Sequence, residues 1–147
     1  MTNKWENNFC SEISIYTDGA SRGNPGNAGI GAVILDSNGF CLMELSEGIG
    51  IATNNEAEYT ALIRALEAAK KLGAQKVNVY ADSELVVKQM KGKYAVKAPG
   101  LKPLFAKAQS LKNGFLRFDI QHIRREKNSS ADKLANLGID GILDNSG

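Results

Sequence analysis

The chain has 147 residues, 43% of them apolar, which suits one globular domain with a core of its own. Its net charge of +2 does not by itself dictate a partner, and no apolar run is long enough to span a bilayer. The opening MTNKWENNFCSE lacks the order of a secretion signal, and Cys10 and Cys41 offer neither a metal spacing nor a disulfide framework, so reduced thiols in the cytoplasm are expected.

Taken in chain order, ISIYTD (13–18) is rich in β-branched and aromatic residues and predicts a strand. GASRGNPGNAG follows as a Gly/Asn/Pro turn, then IGAVIL (30–35) as a second strand. Asp36-Ser-Asn-Gly39 is a hairpin connection to a third strand, FCLMELSEGIG (40–50). From Asn55 to Leu72 the apolar positions Ala57, Ala61, Leu62, Ala65, Leu66 and Ala69 recur at threes and fours, an amphipathic helix ended by Gly73. KVNVYAD (76–82) predicts a fourth strand and SELVVKQMKG (83–92) a short helix. Pro99 and Pro103 bracket a loop before a helix from about 104 to 112. LRFDIQHIR (116–124) alternates as a fifth strand, and SSADKLANLG (129–138) forms the last helix. The order β-β-β-α-β-α-α-β-α implies an α/β fold, a mixed five-stranded sheet with helices on its faces. The expected domain covers 13–138, with polar tails at 1–12 and 139–147.

Charge is unevenly distributed. Between Leu85 and Phe118 lie seven lysines (88, 91, 93, 97, 102, 107, 112) and Arg117 without a single acid, leaving ten cations against all 16 acids elsewhere. A basic segment beside an acidic remainder suggests a polyanion bound next to a cation site; the bland alternative is a lysine-rich solvated helix face.

The glycine-rich turn is no phosphate loop, because it has neither G-x-x-x-x-G-K-[ST] nor G-x-G-x-x-G and a strand follows it. A Ser-His-Asp triad would need the single histidine, His122, and there is no G-x-S-x-G elbow. The acids are better placed. Asp18 and Asp82 close strands one and four, while Glu58 and Asp132 lie in the first turns of helices. Each has a structural alternative: Thr53-x-x-Glu56 and Asn55-x-x-Glu58 both read as capping boxes, Asp82 as a helix N-cap and Asp132 as a helix-dipole acid. If strands one and four are neighbours, however, the four acids can face one edge of the sheet. Carboxylates so close repel unless a divalent cation lies among them, and an all-oxygen set suits Mg²⁺ or Mn²⁺.

YTDGASRGNPGNAGIGAVI, TNNEAEYTALIRALEAA, VYADSELVVKQM and REKNSSADKLAN resemble, in order, the four motif blocks of type 1 ribonuclease H, together covering roughly 13–138. The resemblance implies an endonuclease that cuts the RNA strand of RNA/DNA hybrids, leaving 5′-phosphate and 3′-hydroxyl ends. It also implies one metal between Asp18 and Asp132 and a second among Asp18, Glu58 and Asp82, with the ions roughly 4 Å apart. Asn24, Asn54 and Asn55 match contacts to the hybrid's minor groove, and Thr53 matches a contact to a DNA phosphate. The same asparagines also suit turns and helix caps. Two rivals stand beside this reading: a related nuclease that also cuts double-stranded RNA, and a hybrid-binding module without catalysis. A monomer acting on nucleic acid and not on membranes is expected.

There are departures from the family pattern. Only KGKYAVKAPGLKP stands where the best-known bacterial members carry a long basic protrusion, and Glu84 stands where many carry Gln. The family's mobile active-site histidine has no clear match, since His122 falls within the fifth strand. Arg125-Glu126 resembles a pair found in some branches, so Arg125 is expected to take that part.

Overall fold

The computed structural model describes residues 11–145. Most of the expected N-terminal tail, Cys10 included, lies outside the described residues. The strands are β1 (Glu12–Gly23), β2 (Gly26–Asp36), β3 (Cys41–Ala52), β4 (Lys76–Ala81) and β5 (Arg117–His122). The helices are α1 (Asn54–Lys71), α2 (Glu84–Met90), α3 (Lys102–Lys112) and α4 (Ser129–Asn145), with a 3-10 turn at Arg125–Lys127. They form one five-stranded sheet in the order β3-β2-β1-β4-β5, antiparallel on the β3-β2-β1 side and parallel from β1 through β4 to β5. The expected mixed sheet and its helices are present.

Two boundaries differ from the sequence reading. The glycine-rich stretch is almost wholly strand: β1 and β2 stay paired from Ile13↔Asp36 to Gly23↔Gly26, and only Asn24-Pro25, a cis peptide, makes the turn. Gly19 and Gly29 of this stretch, and Gly31 just beyond it, allow close packing. A Cβ on Gly29 or Gly31 would run into the backbone of α4 at Ala135 or Ala131, and one on Gly19 would run into α1 at Ala57. Propensity reads such glycines as a loop, whereas packing needs them in a strand. The last helix also does not stop at Gly138. It continues to Asn145, with Ile139 fully buried, so 139–145 belong to the domain and not to a polar tail. Gly138 lies inside the helix because its missing side chain lets α4 meet the β3 backbone at Glu47.

The two helical layers follow from the period-2 alternation of β1. Ile13, Ile15 and Thr17 face one side and pack with α1, where Leu62, Leu66 and Tyr59 are buried. Burying each large apolar side chain there contributes about 1.5–3 kcal/mol. α4 lies across β2 and β3 on the opposite face. The hairpin at Asp36 forms as expected: Asp36 Oδ1 accepts from the Asn38 and Phe40 amides at 2.8 and 3.0 Å, and Gly39 takes φ +88°. Residues 91–101 form turns and irregular chain without a helix. Cys41 is a free, exposed thiol.

Candidate active site

The parallel register pairs Thr17 with Ala81. Asp18, inside β1, and Asp82, just past the end of β4, are each one residue further along and therefore stand side by side. Glu58 is the fifth residue of α1, just past the first turn, and the start of that helix is fixed by a capping box. Thr53 Oγ1 accepts from the Glu56 amide at 3.1 Å, and Glu56 Oε1 accepts from the Thr53 amide at 2.8 Å. Of the two capping boxes that the sequence offers, this one forms, and Glu58 is left to face the sheet. The cap of α2 is likewise Ser83 and not Asp82. Both structural alternatives for these acids are thereby taken by other residues.

Asp18, Glu58 and Asp82 each present a carboxylate oxygen, all within 4.8 Å of one another. Asp132, in the first turn of α4, is close enough to Asp18 to raise its pKa. Asp18 is only 4% exposed. Burial above all, then the charges of Asp82 and Asp132, push its carboxyl up to about 7, although a hydrogen bond from Glu58 works in the opposite direction. Glu58 is raised well above the usual glutamate range, first by burial and next by Asp18, while the Gly19 amide bonds its carboxylate and partly offsets this. Such a set suits a hard divalent cation, which replaces the missing countercharge with oxygen coordination.

These four acids line a cleft of about 470 Å³ together with Gly19, Ala20, Ser21, Arg22, Asn54, Arg125 and Asn136. Arg125 stands on the rim in its 3-10 turn. Its side chain is 83% exposed, and Nη2 lies 4.0 Å from Asp132 Oδ1. His122 is exposed at the end of β5, acts on Glu84, and is not among the residues of the cleft wall.

The four candidate substrate residues divide between two depressions. Asn54 faces the acid cleft, whereas Asn24, Thr53 and Asn55 line a neighbouring pocket of about 360 Å³ with Ala98, Gly100 and Leu101. Asn24 Oδ1 accepts from the Asn54 amide at 3.0 Å, and Asn54 Oδ1 accepts from the Ser21 amide at 3.1 Å, so the hairpin and the start of α1 are locked together. Two cleft residues are not singled out by the sequence reading. Arg22 pairs with Asp140 at 2.7 Å, tying the hairpin to α4, and Asn136 donates to the Asp132 carbonyl at 3.0 Å. Asn136 sits four residues after Asp132 on the same helix face, and that spacing is the signal that could have found it. Arg22 carries none, because its partner lies in what reads as a tail.

A five-stranded mixed sheet with acids side by side on two adjacent parallel strands, one within β1 and one just past β4, defines the ribonuclease H-like class. A family profile described as reverse transcriptase-like matches residues 16–138. Ribonuclease H of Cupriavidus necator is 35% identical over 89% of this chain and 97% of its own length. The bifunctional protein Rv2228c of Mycobacterium tuberculosis is 46% identical over 88% of this chain, which spans only 36% of that relative's length. Among solved structures, LC11-RNase H1 in complex with an RNA/DNA hybrid superposes with a TM-score of 0.85 at 51% identity, covering 89% of this chain and 99% of that one. The chain belongs to the ribonuclease H family.

Proposed function

We propose that this protein is an endoribonuclease that cuts the RNA strand of RNA/DNA hybrids by metal-assisted hydrolysis, leaving 5′-phosphate and 3′-hydroxyl ends. The observation that carries the proposal is the convergence of Asp18, Glu58 and Asp82 within 4.8 Å in a cleft walled also by Asp132, Asn54 and Arg125. Two Mg²⁺ ions, or Mn²⁺ in their place, would be held by Asp18 and Asp132 and by Asp18, Glu58 and Asp82. When bound they supply an activated water and charge neutralisation at the scissile phosphate. Asp18, buried between the other acids, is the carboxylate common to both sets. Asn54 offers an amide beside them, and Asn24, Thr53 and Asn55 offer donors and acceptors to the flanking strand, suited to sugar 2′-hydroxyls and phosphate oxygens. We read the protein as a cytoplasmic monomer; no helix among the described residues is long and apolar enough to cross a membrane.

The direct test is a gel assay with strand-labelled hybrid, double-stranded RNA and single-stranded RNA, with Mg²⁺ and with a chelator. Internal cuts in the RNA of the hybrid, abolished by the chelator, are expected. Equal cutting of double-stranded RNA would favour the broader nuclease, and binding without cutting would leave a hybrid-binding module.

Arg125, exposed at the cleft, would contact a phosphate there, which a guanidinium does in bidentate geometry without a proton shift. Arg125→Ala is expected to slow turnover by roughly 1–3 kcal/mol of barrier, while His122→Ala changes little. Single-turnover rates of the two variants decide it, and the reverse ranking would give the part to His122.

Four lysines of the basic segment fall into two groups. Lys88 is engaged with Glu84 and with the Tyr94 hydroxyl and ring, and Lys112 lies over Phe118. Lys91 and Lys93 are exposed in the 91–101 segment. Charge reversal at both is expected to weaken hybrid binding and to lower the slope of log affinity against log salt by about one unit for each phosphate left unneutralised. Unchanged binding at low salt would make this patch a solvated surface.

A further inference from the structure

Asn128 is 1% exposed, a buried polar side chain between the 3-10 turn and α4. Its Nδ2 donates to the Thr17 carbonyl at 2.8 Å and to Asp82 Oδ2 at 3.0 Å. Its backbone is equally committed: the amide donates to the Arg125 carbonyl at 2.9 Å, and the carbonyl accepts from the Asp132 amide at 3.1 Å. One residue thus joins the peptide preceding Asp18, the carboxylate of Asp82, the turn carrying Arg125 and the helix start carrying Asp132. We infer that Asn128 is a positioning residue, which orients the Asp82 carboxylate and ties the α4 acid to the strand acids so that the set is formed before a cation arrives.

The chemistry of the site restricts what can stand there. The Asn128 Oδ1 is buried without a hydrogen-bond partner among the described residues, a cost that an apolar side chain would avoid. An amide is therefore kept for its donors. Turning it over would press Oδ1 against a carbonyl and a carboxylate, so the neighbours dictate the orientation with Nδ2 inward. An aspartate of the same shape would set a third acceptor against those two oxygens. By holding one Asp82 oxygen, Nδ2 fixes the plane of the carboxylate that Asp82 presents beside Asp18 and Glu58. Partners that orient ligands in this way commonly change metal affinity or activity by 10–100-fold.

The positioning role rests on the metal-site reading above, and its test separates the two. Mn²⁺ alone, without nucleic acid, is titrated calorimetrically into the parent, Asn128→Ala and Asn128→Leu, with folding checked by circular dichroism. Mn²⁺ affinity is expected to fall 10–100-fold in both variants, and with hybrid substrate kcat is expected to fall while KM stays within about threefold. Folded variants that bind Mn²⁺ as tightly as the parent would overturn the inference. Should neither variant fold, the side-chain amide resonances of Asn128 in the parent, followed by NMR during Mg²⁺ titration, take their place. They are expected to shift in step with cation binding, and resonances that stay fixed while the site fills would overturn it. A parent that binds no Mn²⁺ overturns both readings. One that binds Mn²⁺ but leaves the hybrid intact removes the nuclease reading and leaves the positioning role of Asn128 standing.

Discussion

Asp18→Asn is expected to lower hybrid cleavage by a factor on the order of 10³ or more, equivalent to about 4 kcal/mol of barrier, while fold and hybrid binding survive. Asp18 is the carboxylate on which all three other acids act: Glu58 and Asp82 in the triad, and Asp132 from α4. An amide of the same shape keeps the packing and removes the charge that would serve both cations. The same substitution has a second signature in the metal-free protein. The Asp18 carboxyl is raised from an ordinary 3.8 to about 7, so between those values the folded state binds more protons than the unfolded one. Metal-free stability therefore falls as pH rises through that window and levels off above it. Asp18→Asn removes this loss. At pH 8 without metal the variant should melt several degrees above the parent, and with Mg²⁺ the order should narrow or reverse. Activity within a factor of ten of the parent would end the two-metal assignment.

Gly31→Ala is expected to destabilise the protein by about 3 kcal/mol, a melting shift of roughly 6–12 °C. A Cβ on Gly31 would collide with the Ala131 carbonyl, lie 2.5 Å from the Ala135 amide and 2.8 Å from Leu134 Cβ. Backbone atoms of a helix cannot turn aside as a flexible side chain can, so α4 must lift from the sheet. Asp132 stands one residue after Ala131, and activity should fall together with stability. Gly141→Ala on the same helix is the control. Among the described residues nothing lies within 4 Å of a Cβ there, so the gain in helix propensity should stabilise by about 0.5–1 kcal/mol. Thermal melts of the two variants are the measurement, and a Gly31→Ala protein as stable as its parent would show that this close approach is not maintained in solution.

Gly31 also marks the limit of what is legible in the sequence. Periodicity locates α1 and the sheet strands because one apolar face of each is buried, and burial is what periodicity records. Glu58, Asp82 and Asp132 are legible because each sits at or near an element's end, where a boundary signal and a chemical signal coincide. Asp18 lies in the middle of β1 and is legible because the apolar run of that strand stops at it. Gly19 and Gly29 read as a turn, and Gly31 as an ordinary strand residue, because the helix backbones that exclude their side chains come from residues tens of positions away. Gly138 reads as a terminus for the same reason. Asn128 is silent because its partners, Thr17 and Asp82, lie 111 and 46 residues away, and no local pattern encodes a hydrogen bond across the sheet. Pro99 falls in the irregular 91–101 segment as expected, whereas Pro103 does not close that loop. It sits in the first turn of α3, where its missing N–H has no helical partner to lose.

The contact of Gly19 with the first turn of α1 has a mechanical consequence. Asp18 and Glu58 are attached to two backbones in direct contact, with no side chain between them to serve as a cushion, and the Gly19 amide itself bonds Glu58. Those two acids form a stiff jaw, whose opening cannot be adjusted by a change of rotamer in some intervening residue. α4 is seated just as closely at Gly29 and Gly31, so the opposing acid shares that stiffness. Any accommodation of a wider or narrower duplex would have to come from the rim, at the exposed Arg125 turn and along residues 91–101, where no helix backbone is pressed against a strand.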